Sequence, residues 1–488
     1  MGGAWLAAVG DLTLTALLTA TCAVLVFAPW LAPLLASAIA GLRSRGEAKE
    51  AAARPTELAP LAGEAAIRSR LYSASALGRP AVVRRGRLRI AMLAPPWIEV
   101  PPRGYGGIEL VVAHLTDALV DLGHDVVLFA PPGSRSRAQL LTPLERPHPQ
   151  VIGQALEEAD HVAQALAYVE NPANGRFDLV HDHSGFVALA FADRLATPML
   201  HTLHGPFDER TYGFYARHGH KAAMVAISAA QLRAAPPGLN VVGVIPNPLR
   251  VDDWPFRREK EDFLLWIGRM SPVKGPHRAI EVARLAERPL VLAGPVQPGQ
   301  ERFFSEHVEP HIDGQNVRYV GEVGGELKQQ LFARAAALLM PIRWPEPFGM
   351  VMIEALACGT PVIAFREGSA EEIVDDGLTG FLVADEREMA RAVGRLSEID
   401  PERCRSVARE RFDVERVARA YESAYRLVVG ATTRSLARSQ TVPRTRTPRS
   451  AMRVARSHSS GSVAAPASVT SRPISTRTRS SAAPAAQA

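Results

Sequence analysis

Two glutamates, Glu346 and Glu354, stand eight positions apart in WPEPFGMVMIEALACGTPVIAFREGSAEEIVDDGLTGFLV, residues 344–383. Eight helical residues are about two turns, so Glu346 precedes a helix predicted to begin near Phe348 and Glu354 lies inside it. Glu354 is flanked by Met352, Ile353, Ala355 and Leu356, a setting in which an unpaired carboxylate is costly. It needs a partner: the vicinal hydroxyls of a ribose, which one carboxylate can accept from together, or a buried Arg or Lys. Upstream, FLLWIG runs into RMSPVKG, which puts Arg269 and Lys274 in a loop leaving a strand and entering a helix that carries Ile280, Val282 and Leu285. A diphosphate would be neutralised there, Arg offering a fixed fork and Lys a mobile point charge. Without an anion the same two residues are ordinary solvated loop cations. Near the start of the patterned region, RLRIAML leads through APPWIEVPPRGYGGIE into a helix with Ile108, Val111, Val112, Leu115 and Leu119 at helical spacing. Gly106 and Gly107 open that helix, where free backbone N–H groups favour an anion and the missing side chain lets it come close. A turn that merely reverses the chain uses the same glycines, and the full G-x-G-x-x-G dinucleotide spacing is absent.

These residues need strands and helices to hold them, and the pattern supplies an alternation of short β-branched runs with helical stretches. Strands are predicted at 87–93, 125–130, 178–183, 198–203, 223–227 and 241–245. PNPLRVDDWPFRRE, residues 246–259, breaks the series with three prolines. A second series starts at DFLLWIG and continues at 289–294, 316–321, 337–341 and 361–365. Two α/β halves make a cleft, and open parallel sheets bind ligands beyond the carboxyl ends of their strands.

GYGGIE, IGRMSPVKG and EPFGMVMIEALACGTPVIA, in this order and distance, resemble the retaining glycosyltransferases of the GT-B fold, family 4-like or group 1. The likeness covers roughly residues 87–429. It implies an α/β protein of two Rossmann-like domains facing each other across a cleft: an acceptor-side domain at 87–247 and a nucleotide-sugar-binding domain at 248–429. It further implies that Arg269 and Lys274 hold the donor diphosphate, that Glu354 binds the ribose, and that Glu346 faces the donor sugar. The backbone amides of Phe348, Gly349 and Met350 would lie near the sugar or phosphate, and Gly106 and Gly107 would close over the phosphate. His204, in HTLHGPF, matches the family histidine that reaches the donor sugar and the acceptor side; a strand-end histidine bonded to backbone is the plainer alternative. The expected reaction moves a hexosyl group from a nucleoside diphosphate sugar with retention of anomeric configuration and without metal or other cofactor. The acceptor, a sugar, lipid or small molecule, is not readable. Asn247–Pro248 stands where the family often has Asn–Gly, which touches the linker more than the chemistry.

Other functions leave weaker traces. His181 with His183, His201 with His204 and His218 with His220 form close pairs, and the first pair shares one strand face. No H-E-x-x-H, D-x-D or G-x-S-x-G accompanies them, which disfavours a zinc site, a metal-dependent transferase of the other common fold and a serine hydrolase. A nucleotide-sugar epimerase of similar fold and a non-catalytic sugar-nucleotide-binding membrane protein are the competing readings. Cys22, Cys358 and Cys404 lie in unrelated contexts, so no disulfide framework follows. The net charge of +6 loses its sign once the ten arginines of residues 431–488 are set aside, leaving −4. That argues against a specific nucleic-acid partner.

The two ends read differently from the middle. Leu12–Gly41 is an uncharged run long enough to cross a bilayer, with Arg43, Arg45 and Lys49 after it. Residues 1–45 are therefore expected to form a membrane anchor with the bulk of the chain on the cytoplasmic side. Residues 46–86 read as a linker. Residues 430–488, rich in Ser, Thr, Arg and Pro, read as a disordered basic tail.

Overall fold

The computed structural model describes residues 86–441. The first half carries a wholly parallel sheet of seven strands: β1 Arg89–Leu93, β2 Asp125–Phe129, β3 Gln139–Leu141, β4 Leu179–Asp182, β5 Met199–Leu203, β6 Ala223–Ala226 and β7 Val241–Val244. Their spatial order is β3-β2-β1-β4-β5-β6-β7. The second half repeats the plan with β8 Leu264–Ile267, β9 Leu290–Ala293, β10 Val317–Tyr319, β11 Ala337–Met340, β12 Val362–Phe365 and β13 Gly380–Val383, in the order β10-β9-β8-β11-β12-β13. Every strand pair is parallel, which requires crossover segments on the faces and explains the continuous apolar runs. In both sheets the order reverses beside the first strand, between β1 and β4 and between β8 and β11. That switch point is where loops diverge and leave a crevice.

Two strands escape the sequence pattern. β3 is three residues long, half exposed and at a sheet edge, so it shows no apolar run; β13 follows a glycine-bearing turn closed by Asp375 and Thr379. The helix from which Glu354 projects starts at Met350, two residues later than Phe348 suggests, because Gly349 sits in the left-handed region at φ 79° and serves as its N-cap.

The chain does not divide cleanly at 248. Its last helix, Val414–Thr441, follows the second sheet in sequence, yet Val414, Val417, Ala418, Tyr421, Ala424, Tyr425 and Val428 join the core of the first sheet, with Ile90, Met92, Leu128 and Leu200. Their spacing of three and four marks one apolar stripe, and it is the first sheet that accepts it. The two crossings meet: Leu249 N–H donates to Phe412 O at 2.8 Å, and Val414 N–H donates to Leu249 O at 2.9 Å. The same helix continues to Thr441, beyond the point where composition suggested loss of order. No proline interrupts it before Pro443, and proline is what a helix interior tolerates least. The membrane anchor, the linker and the remainder of the basic tail lie outside the described residues.

Candidate functional site

The loops at the two switch points enclose a cavity of about 460 Å³. It gathers the residues assigned to the donor site from sequence: Gly106, Gly107 and His204 from the first half, and Arg269, Lys274, Glu346, Phe348, Gly349, Met350 and Glu354 from the second. Arg269 and Lys274 follow β8, and Glu346 follows β11. The two adjacent strands of the second switch point therefore supply the cations and the carboxylate.

Lys274 Nζ is ion-paired with Glu346 Oε2, and both side chains are mostly buried. Trp344 Nε1–H donates to the same oxygen at 2.8 Å, and its ring lies 4.8 Å below the ammonium. Trp266 Nε1–H ties down the Lys274 carbonyl at 3.1 Å, so the loop is fixed at its base while the charged end faces the cavity. Arg269 Nη1 donates to Gln297 Oε1 at 3.3 Å, a long contact to a neutral acceptor that an anion would replace with gain.

Of the two partners left open by its apolar flanks, Glu354 has the cation on one oxygen and keeps the other oxygen open. Its Oε1 accepts from Lys328 Nζ at 2.7 Å, while Oε2 is buried and has no hydrogen-bond partner. A buried carboxylate oxygen left unpaired costs about 1–3 kcal/mol or more, so a hydroxyl arriving there gains what the empty site forgoes. Lys328 gave no sequence signal: in GELKQQL it is one cation on an amphipathic helix, Gly325–Arg334. Only the three-dimensional pairing reveals it.

The glycine loop closes the cavity from the other side. Gly106 has φ 153°, and a side chain there would meet Pro102 Cβ at 2.6 Å, so residue size and backbone conformation both demand glycine. Gly107 is the first residue of the helix Gly107–Asp121 and looks across at Met350. Glu109, in that helix's first turn, would repel a phosphate if fully ionised. Burial pushes its carboxyl up to about 7, so at neutral pH it carries only part of a charge. Tyr105 N–H donates to Glu322 Oε1 at 2.8 Å, and Ser228 Oγ donates to Pro347 O at 2.6 Å. These contacts bring the two halves together at either side of the cavity.

The histidines do not assemble as metal ligands. Among the described residues, no group of three or more His, Cys, Asp or Glu could hold a metal ion. Instead His204 Nε2 bonds His183 Nδ1 at 2.7 Å, and His201 Nδ1 bonds Asp182 Oδ2 at 2.7 Å. His218 belongs to a separate aromatic contact with Phe214.

Set against known proteins, residues 105–248 match the model of Glycosyltransferase Family 4 and residues 252–411 that of Glycosyl transferases group 1. Glycogen synthase of Mycobacterium tuberculosis is 28% identical over 402 residues, covering 69% of this chain and 94% of that protein. D-inositol 3-phosphate glycosyltransferase of Kribbella flavida is 27% identical over 381 residues, covering 62% and 85%. Among solved structures, AviGT4, a glycosyltransferase involved in avilamycin A biosynthesis, superposes with a TM-score of 0.55 at 28% identity, covering 70% of this chain and 98% of its own. HepE from Anabaena, solved with UDP and glucose, shares the fold with a TM-score of 0.53 at 20% identity, covering 69% and 99%.

Proposed function

We propose that this chain, which belongs to the glycosyltransferases of the GT-B fold and uses a nucleotide-sugar donor, transfers a hexosyl group with retention of anomeric configuration and without a metal. The observation that carries this reading is the convergence, in one cavity, of two cations at the end of β8, an unpartnered buried carboxylate oxygen on Glu354, and a glycine-opened helix N-terminus. A nucleoside diphosphate sugar has one matching group for each: the diphosphate for Arg269 and Lys274, a ribose hydroxyl for Glu354 Oε2, and phosphate oxygens for the Gly107 end of the helix. Glu346 and His204 then flank the sugar.

Retention follows if the acceptor hydroxyl attacks on the face from which the phosphate leaves. The bond from the anomeric carbon to the phosphate oxygen breaks, the bond to the acceptor oxygen forms, and the acceptor proton passes to the departing phosphate. The products are the glycosylated acceptor and the nucleoside diphosphate. That route asks the protein for cations that stabilise the leaving oxygens, which Arg269 and Lys274 supply, and for no separate base. The names of the relatives point to carbohydrate, inositol phosphate or natural-product acceptors. Purified protein offered UDP-, GDP- and ADP-sugars, with released nucleotide and anomeric configuration of the product as readouts, tests the reading; an inverted product, or epimerised sugar without transfer, defeats it.

Metal independence has its own measurement. With diphosphate charge carried by side chains and a helix N-terminus, activity in excess EDTA is expected to stay above about half the untreated rate. Abolition by EDTA with rescue by magnesium or manganese would remove this part of the proposal.

For location we propose that the apolar segment before residue 45 holds the catalytic domains at the cytoplasmic face of a membrane. None of the described helices is long and apolar enough to cross a bilayer, so residues 86–441 contribute no span of that kind. Deleting residues 1–45 is expected to move the protein into the soluble fraction with donor turnover retained. Full-length protein that is already soluble without detergent would rule the anchor out.

A further inference from the structure

The helices that carry Lys328 and Glu354 are held from behind by a cation outside the cavity. Gly325–Arg334 and Met350–Ala357 both begin at the cavity, where Gly324, Gly325, Gly349 and Met350 line the wall. Neither helix has a side chain capping that end. A cap would occupy the N–H groups that an incoming anion needs, so the helices must take their positions from elsewhere. The second has eight residues, too few to be stable by itself.

Lys260 lies just before β8, at the edge of the second sheet away from the cavity. Its Nζ donates to Ala333 O at 2.9 Å, to Cys358 O at 3.0 Å and to Thr360 Oγ1 at 2.9 Å, one acceptor for each ammonium hydrogen. Ala333 is in the last turn of the first helix and Cys358 is the C-cap of the second, so both carbonyls are among those a helix cannot satisfy internally. Thr360 extends the bridge, because its hydroxyl donates to Phe332 O, also in the last turn of the first helix. One charge thus joins two C-termini, the end at which a cation is favoured. Arg405 is a clamp of a different kind: its Nη1 donates to Ala357 O at 2.6 Å and to Trp254 O at 2.8 Å, which ties the second helix to the segment between the sheets and not to the first helix.

Burial pushes the Lys260 ammonium down to about 8, and none of its three partners is a carboxylate. An apolar side chain would avoid that desolvation. What it could not do is hold carbonyls of two helices at one point. Ala333 lies five residues past Lys328, and Cys358 four past Glu354, about 7 and 6 Å of helix. A shift of either helix at its far end therefore reaches the Lys328–Glu354 pair, where Nζ and Oε1 are 2.7 Å apart with little room to slide.

We propose that Lys260 is a positioning residue for donor binding: by joining the C-termini of the two helices it sets the register of Lys328 against Glu354, and with it the place at which Glu354 Oε2 is offered to the ligand. The link to the ligand rests on the reading that this oxygen receives a ribose hydroxyl. The register does not.

Two measurements on the full-length protein keep these halves apart. The first needs no donor: urea unfolding of Lys328→Met, Glu354→Gln and the double variant gives the coupling within the pair. In a Lys260→Met background, which keeps the stem and removes the ammonium, that coupling is expected to fall to about half or less. The second is steady-state kinetics. Lys260→Met is expected to raise the donor KM about three- to tenfold with kcat within about twofold, and to add less than about twofold to the KM of Glu354→Gln, since both act through one carboxylate. A packing defect alone would lower the melting temperature without that split. If Lys260→Met does not fold, Thr360→Val, which strands one ammonium hydrogen and Phe332 O at little change in shape, should show both effects in smaller measure. Coupling at the wild-type level in Lys260→Met, or in Thr360→Val where that is the variant used, overturns the inference. Coupling lost with donor KM unchanged, in a protein whose Glu354→Gln variant does raise KM, overturns the link to donor binding. An unchanged KM in Glu354→Gln overturns the ribose assignment alone, and the urea coupling then still decides for or against the register.

Discussion

Arg269→Ala or Lys274→Ala is expected to lower kcat by about 10²–10³ while the protein keeps its fold, because in the proposed donor site each removes a cation that would meet oxygens gaining charge as the glycosidic bond breaks. The structure separates the two cases. The Arg269 guanidinium makes a 3.3 Å contact with the neutral Gln297 amide, so its removal should leave the melting temperature nearly unchanged. Lys274 is paired with Glu346, and its removal strands a mostly buried carboxylate that keeps the Trp344 N–H as partner. Lys274→Ala should therefore also show a modest fall in melting temperature. Arg269→Lys serves as the control for geometry: it keeps the charge and loses the fork, and rates between wild type and alanine are expected if a bidentate phosphate contact is made. Wild-type turnover in either alanine variant would show that these are surface cations and that the diphosphate lies elsewhere.

Lys274 is ion-paired with Glu346, so a diphosphate bound as proposed would compete with that pair. A diphosphate carries more charge than one carboxylate, and releasing Glu346 leaves it hydrogen-bonded to Trp344 and free to turn to the sugar. One exchange of partners would thus arm both residues, which links phosphate binding to sugar orientation without any further element.

The periodicity of the chain made most of this architecture readable. Parallel strands buried on both faces leave near-continuous apolar runs such as FLLWIG and PLVLAG, and these stand out without knowledge of their neighbours. The same logic fails at β3, whose residues are half exposed. It fails again at the last helix, where the sequence shows the apolar stripe through Tyr421 and Tyr425 but not which sheet receives it. In the site, residues at the strand ends were legible because loop position and charge together restrict their use. Lys328 was not, since a single helix lysine is ordinarily a solvated one, and its role depends on Glu354 lying 2.7 Å away. The close histidine pairs were visible as pairs, yet their spacing along β4 and β5 could not tell metal ligation from a hydrogen-bonded chain. The deciding fact is that ring nitrogens meet one another, the Asp182 carboxylate and the Tyr425 hydroxyl.

The two glutamates should part company in kinetics, with Glu346→Gln acting mainly on kcat and Glu354→Gln mainly on the donor KM. The Glu354 oxygen without a partner is the group assigned to the ribose, remote from the reacting carbon, so its bond is similar in ground and transition states and its loss weakens binding alone. An amide in its place keeps the volume but offers one acceptor oxygen where two were available. Lys328 and the ribose then compete for it, and donor KM is expected to rise about ten- to hundred-fold, the range for losing a hydrogen bond to a charged group. Glu346 is different because its carboxylate lies in the cavity beside Lys274, where on the proposed reading the sugar would acquire positive character as the bond to phosphate lengthens. A negative charge there stabilises the transition state more than the ground state, and its conversion to an amide should lower kcat by about a hundredfold with a small change in KM. Steady-state rates over a range of donor concentration, at saturating acceptor, separate these effects. If both variants change only KM, Glu346 has no role in the chemical step; if Glu354→Gln leaves KM alone, the buried oxygen is not where the ribose binds.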